Sequence, residues 1–282
     1  MIRFGPAGNC DRFYEEGLKS SPQAPAWIAA QGLNAYEYAA GHGVSIGQET
    51  AEKICTAAWG NGISVSIHAP YYINCGSPEE EKQLSSINYL LQSARAVTWM
   101  GGTRVIFHVG SPGKRSRDAA FADACKVVRA ARIALDEAGF EQVILCPETM
   151  GRPSQLGTLE EVLHLCREND RLLPTIDFGH LHAAGRGCMT DEAAFDRVLT
   201  EMISALGYDR CRNFHSHFSK IAYTAKGERQ HATFADLEYG PDFHHLAPML
   251  KKYGLEPTII CESRGTQADD ALIMKEIYSS LF

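Results

Sequence analysis

Short apolar runs and amphipathic stretches alternate along the whole of this chain. The runs Ile2–Phe4, Ala35–Tyr38, Val65–Ile67, Val105–Phe107, Val143–Cys146, Pro174–Ile176, Asn213–Phe214 and Thr258–Cys261 are bounded by glycine or polar residues. Runs of that length and setting predict buried strands. Between them the spacing becomes helical. Leu84, Ile87, Leu91 and Ala94 fall on one face, and so do Val127, Ala131, Ala134 and Ala138. Thr158-Leu-Glu-Glu161 has the form of a capping box, and Gly139 closes the helix before it. The stretch from Asp269 to Phe282 predicts a last amphipathic helix.

Eight strands, each followed by a helical segment, predict an α/β chain folded as a (β/α)8 TIM barrel, for which ~250 residues is typical. An open doubly wound sheet is the alternative, but it would scatter its strand ends along a crevice. No shift in composition and no low-complexity linker marks a second domain, so residues 1–282 are read as one barrel. The segments 114–117 and 224–240 are long enough to build a substrate groove.

Composition narrows the classes. Hydrophobic content of 45% and charged content of 22% are ordinary for a globular protein with a sizeable core. No apolar run approaches the ~18 residues of a membrane span, and no basic segment followed by an apolar stretch opens the chain. Nine cysteines without CxxC pairs read as buried free thiols in a reducing cytoplasm. A formal net charge of −7 argues against broad nucleic-acid binding, although carboxylates neutralised by bound cations would change that balance. Lys114, Arg115 and Arg117 form one local basic loop. The expected state is a monomer.

The candidate chemistry lies where the strands end. His68, His108, Glu148, Asp177, His215 and Glu262 each terminate an apolar run. Packing demands no imidazole or carboxylate there, and each such group would need a partner if buried. In a barrel these ends converge on one mouth, and a set of three imidazoles and three carboxylates suits divalent metal, zinc first, with manganese or iron as alternatives. Carboxylates bridge ions, so six ligands fit a dinuclear centre better than a single ion. His180 follows Asp177 closely, and Glu228 and His231 could complete a third ion with it. His182 and His217 are expected behind the ligands or exposed. Tyr71 and Tyr72 are core aromatics or stand at the mouth. No GxxxxGK[ST], GxSxG or HExxH pattern offers another chemistry.

In order, His68-Ala-Pro-Tyr71-Tyr-Ile-Asn74, Phe107-His108-Val-Gly-Ser111, Glu148-Thr-Met-Gly151, Asp177-Phe-Gly-His180, His215-Ser-His-Phe-Ser-Lys220 and Glu262 resemble the endonuclease IV family of apurinic/apyrimidinic endonucleases. The resemblance runs from about residue 60 to the C-terminus. It implies a TIM barrel with three zinc ions, hydrolysing damaged double-stranded DNA 5′ to an abasic site. By that resemblance His68, His108 and Glu148 hold the first ion. Glu148, the catalytic bridging residue, shares a second with Asp177, His215 and Glu262. The third belongs to His180 with Glu228 and His231, Tyr71 contacts the opened helix, and a bridging hydroxide attacks phosphorus.

Three departures stand out. The family's third-ion pair is Asp-x-His, whereas this chain reads Glu228-Arg-Gln-His231. The first strand ends without the family's His and Ser, and the loop Tyr38-Ala-Ala-Gly-His42-Gly lacks the arginine-bearing stretch that enters the DNA stack. A metal-dependent sugar isomerase or epimerase of the xylose-isomerase-like barrels is the alternative, since it uses a similar set of strand-end ligands. A catalytically silent metal-binding barrel is a third reading.

Overall fold

The computed structural model describes residues 1–282. Strands β1 (Arg3–Pro6), β2 (Ala35–Ala39), β3 (Ser64–His68), β4 (Arg104–Phe107), β5 (Ile144–Pro147), β6 (Thr175–Asp177) and β7 (His215–Phe218) follow in order. A hairpin, β8 (Lys220–Thr224) and β9 (Gly227–Ala232), intervenes before β10 (Thr258–Cys261). Two parallel four-stranded sheets, β2-β3-β4-β5 and β1-β10-β7-β6, make up the wall. Parallel bridges Ala7–Glu37 on one side, and Leu145–Leu172 and Glu148–Thr175 on the other, close it into an eight-stranded barrel.

The period-2 alternation of each strand sorts its side chains between two environments. On β4, Val105 and Phe107 enter an apolar core of 64 buried residues shared with the surrounding helices, Leu90, Val97, Val128 and Leu135 among them. Ile106 instead joins Cys146 and Leu173 in a separate small cluster, which is the barrel interior. Full burial of a side chain such as Phe107 contributes about 1.5–3 kcal/mol, so the helix–barrel layer carries most of the stability. The narrow interior holds only that small apolar cluster and is otherwise polar.

The helices largely follow the sequence pattern. Residues Glu80–Trp99, Arg117–Glu137, Leu159–Glu168 and Gln267–Ser279 are helical. Thr158 and Glu161 form the reciprocal capping box. Three expectations fail, the first being Ala138, which is exposed at the C-cap just beyond its helix. Leu84 is 59% exposed, because the buried stripe of its helix runs through Leu90, Ala94 and Val97. Strand seven is not Asn213–Phe214 but His215–Phe218, since its inward positions are histidines and leave no apolar run to read. No helix is long and apolar enough to cross a membrane. All nine cysteines are free and, except for Cys55 and Cys188, buried.

The supposed groove loops are more ordered than the sequence suggests. Segment 224–240 contains β9, paired antiparallel with β8. Arg115 is tied to Asp123 (2.7 Å) and to the Gly76 carbonyl, and Arg117 opens a helix and is bound to both oxygens of Glu161 (2.6 and 2.8 Å). Of the basic loop, Lys114 alone is left without an ion-pair partner.

Candidate metal centre

The inward rows of the strands run 66, 68 on β3, then 104, 106, 108, then 144, 146, 148, then 173, 175, 177, and 215, 217 on β7. Their last members meet around Glu148, which is fully buried. Its Oε2 lies 3.2 Å from both His68 Nε2 and His108 Nε2. Its Oε1 lies 3.0 Å from His217 Nδ1 and 3.3 Å from His180 Nδ1. Glu262 Oε2 stands 3.5 Å from His217 Nδ1 and 3.8 Å from His231 Nε2. Three groups of donor atoms at the mouth are compact enough for one ion each: His68, His108 and Glu148; Glu148, Asp177, His217 and Glu262; and His180, Glu228 and His231. Two more lie away from it, Glu37, His215 and His217 on the barrel floor and Cys125, His164 and Glu168 on the outer helices.

His215 is the exception among the expected ligands. It is fully buried one layer deeper, its Nε2 3.0 Å from Glu37 Oε2, and the mouth position on β7 belongs to His217. The two histidines are two residues apart and share the inward face, so a strand that continues to Phe218 moves the mouth from 215 to 217. His217 is thus neither exposed nor behind the ligands.

Glu228 and His231 reach the mouth through a distortion in the hairpin. Ala222 pairs with Gln230 and Tyr223 with Glu228, which leaves Arg229 as an extra, unpaired residue. A β-bulge of this kind restores one face to residues three apart. The additional residue relative to an Asp-x-His pair is thereby absorbed. Gly227, at φ +93, allows the approach: a Cβ there would meet the Gly151 carbonyl oxygen at 2.4 Å. Glu228 N then donates to that same carbonyl at 2.9 Å.

Several imidazoles have one nitrogen engaged, leaving the other aimed at a carboxylate. His68 Nδ1 meets the Ala69 carbonyl at 2.9 Å, His180 Nδ1 the Thr149 carbonyl at 2.9 Å, and His231 Nδ1 the Ser219 hydroxyl at 2.8 Å. Such anchoring fixes ring orientation behind metal-ligating histidines. Asp177 gives the clearest sign that the site suits a cation. Its Oδ1 caps the following helix by accepting from His180 N at 2.6 Å, while its buried Oδ2 has no hydrogen-bond partner. His180 Nδ1 stands 3.4 Å from Oδ2 without making a hydrogen bond, and a buried carboxylate oxygen that accepts none is costly. Divalent metal fits this donor set.

The electrostatics agree. Burial, with Glu262 and Glu148 nearby, pushes Asp177 up to about 6. Burial would also raise Glu148, but His217 and hydrogen bonds from His108 and His180 hold it well below the usual carboxylate range. Glu262 is likewise brought to about 2 against burial, by His217. Burial lowers His108 and takes His215 down to about 4, whereas the surrounding carboxylates raise His180 and His217 despite it. The carboxylates lean on protonated imidazoles where a cation would serve.

A cavity of about 360 Å³ opens above these groups, lined by Tyr71, Met150, Arg152, Gln155 and ligand-set side chains. Tyr71 is 60% exposed at its rim, its ring 5.7 Å from His68 and 5.6 Å from His108. The loop after β2 backs it: a Cβ on Gly41 would lie 2.5 Å from the tyrosine ring. Tyr72, 57% exposed, lines an adjoining cleft with Asn74 and Ser111.

The sequence pattern of the xylose isomerase-like TIM barrel family matches residues 25–278. The chain belongs to that family. An uncharacterised protein of Methanocaldococcus jannaschii is 32% identical over 243 residues, 86% of each chain. A probable endonuclease 4 of Oceanobacillus iheyensis is 30% identical over 176 residues, 60% of this chain and 57% of that protein. Among solved structures, endonuclease IV from Thermus thermophilus superposes with a TM-score of 0.69 at 21% identity, covering 99% of this chain and 98% of that one. A D-psicose 3-epimerase superposes at 0.66 and 13% identity, covering 99% and 97%. At these identities the structural likenesses establish the barrel.

Proposed function

We propose that this family member is a zinc-dependent phosphodiesterase that cleaves duplex DNA on the 5′ side of an abasic site. The observation that carries the reading is the placement of Glu148. Its two oxygens face separate ligand sets, Oε2 towards His68 and His108 and Oε1 towards His217, and it belongs to both of those donor groups. That is the disposition of a carboxylate shared between two cations rather than one closing a single site. When bound, divalent ions supply a water of lowered pKa and neutralise charge developing on phosphate oxygens.

The chain's own groups account for the rest. His68, His108, Asp177, His217 and Glu262 would hold divalent cations together with Glu148, and His180, Glu228 and His231 offer the third group. Tyr71 presents a flat, exposed face to a sugar or base turned out of a helix. Arg152, exposed beside Glu228 and hydrogen-bonded to its carbonyl at 3.2 Å, offers its guanidinium to a phosphate at the rim. The relatives named endonuclease 4 support DNA as the substrate. A metal-dependent epimerisation of a small sugar is the competing reading, favoured by the net charge of −7, which disfavours a polyanionic substrate.

The test is incubation of the metal-loaded protein with a duplex carrying a single tetrahydrofuran abasic analogue. A nick 5′ to the lesion, abolished by a strong chelator and by Glu148→Gln, is expected, with undamaged duplex left intact. Unbroken lesion DNA together with turnover of a ketose would transfer the assignment to the sugar enzyme.

A further inference from the structure

Beneath the centre, the barrel floor carries a polar chain that the proposed reaction leaves unused. Glu37 is fully buried on β2 and its register partner on β3 is Ser66. Glu37 Oε2 accepts from Ser66 Oγ at 2.7 Å and lies 3.0 Å from His215 Nε2, while Oε1 lies 2.8 Å from His217 Nε2. Below His215, Arg104 Nη1 approaches Nδ1 at 3.5 Å, and Nη2 donates to the Asn213 carbonyl at 2.6 Å. A guanidinium has donors only. His215 Nδ1 is therefore the acceptor, and its proton sits on Nε2, directed at Glu37. A carboxylate on which three groups converge is the acceptor for all of them, so His217 Nε2 also carries a proton. With Nε2 protonated, Nδ1, the nitrogen that faces Glu148 and Glu262, is the one that offers a lone pair once a cation takes the place of its proton.

We propose that Glu37 is a positioning residue for the metal centre. It holds His217 as the Nε2–H tautomer and aims Nδ1 into the donor group formed with Glu148, Asp177 and Glu262, while Arg104 and His215 fix the proton pattern beneath it. The proposal rests on the metal-centre reading and is independent of which substrate is turned over. A carboxylate behind a ligating imidazole sets ring orientation and raises basicity, and its loss typically weakens metal binding by about 10–100-fold. In Glu37→Gln a single amide oxygen replaces two acceptors, and its NH2 faces a ring N–H. One imidazole must then move its proton or turn.

Metal-free full-length protein is titrated with zinc against a chromophoric chelator, and with cadmium-113 followed by NMR, as wild type, E37Q and S66A. The ion class that Asp177→Asn abolishes is expected to bind about 10–100-fold more weakly in E37Q, with its cadmium resonance displaced. The class held by His180, Glu228 and His231 keeps its wild-type affinity. S66A retains the carboxylate and loses one donor, so it weakens the same class by a smaller factor. Unchanged affinity and resonances in both variants overturn the proposal, as does equal weakening of every class, the signature of a packing role. Should E37Q fail to fold, S66A decides alone: a change confined to that class supports the role and none overturns it. No substrate enters the assay, so a negative result leaves DNA cleavage to its own test.

Discussion

At the scale of single residues, the centre is a compromise between holding a cation and folding without one. Asp177 shows it best. Burial and neighbouring carboxylates raise it from 3.8 to about 6, so its ionised form is disfavoured in the metal-free fold. A raised carboxylate value contributes stability below the unfolded value and loses it as pH rises towards the folded one. At neutral pH the metal-free protein therefore carries a strained carboxylate. Asn at 177 keeps an oxygen for the helix cap now made by Oδ1, since Asn caps as well as Asp. We expect the chelated Asp177→Asn protein to unfold about 2–4 °C above chelated wild type, the shift that ~1 kcal/mol gives in a domain of roughly this size. It should also lose the stabilisation that zinc gives wild type. Calorimetry with and without zinc checks both, and a lower unfolding temperature in the chelated variant would contradict the account.

At the scale of elements, the sequence was legible wherever one period dominated. Seven strands and the long helices follow from apolar runs and 3.6-residue spacing, and the Thr158–Glu161 box stands as read. β7 was not legible, because its inward row is polar and a run of His-Ser-His looks like a loop. The same blindness hid Glu37, a lone carboxylate within Ala35-Tyr-Glu-Tyr-Ala39 that period-2 reading would have marked as inward. The bulge at Arg229 depends on pairing across a hairpin and leaves no mark in composition. The capping box also lends itself to measurement. Glu161 Oε2 accepts from Gly157 N and Thr158 N at 2.7 and 3.0 Å, and both its oxygens meet Arg117. Burial would raise it, but Arg117 and those amides hold it below 4.5. A lowered value contributes stability that is complete above 4.5 and is lost as pH falls through the folded value. Thr158→Ala should cost about 1 kcal/mol. Glu161→Gln should cost about 1–3 kcal/mol near neutrality and flatten the decline in unfolding temperature below pH ~4.5. A variant that tracks wild type through acid would show that the box carries no such load.

At the scale of the whole molecule, two cores divide the labour. The apolar layer between barrel and helices supplies stability, and the narrow interior is given over to imidazoles, carboxylates and the arginine beneath them. The barrel was legible from element count, and the mouth from six polar strand ends, five of which the structure brings together. The sixth, His215, fell one layer short. Convergence at that mouth is a property of the closed fold, which makes metal occupancy the most direct test of the account. Native mass spectrometry of the full-length protein, purified without chelator and supplied with zinc, should find two or three ions per chain. A chain that takes up a single ion, or none, would contradict a carboxylate shared between cations at Glu148.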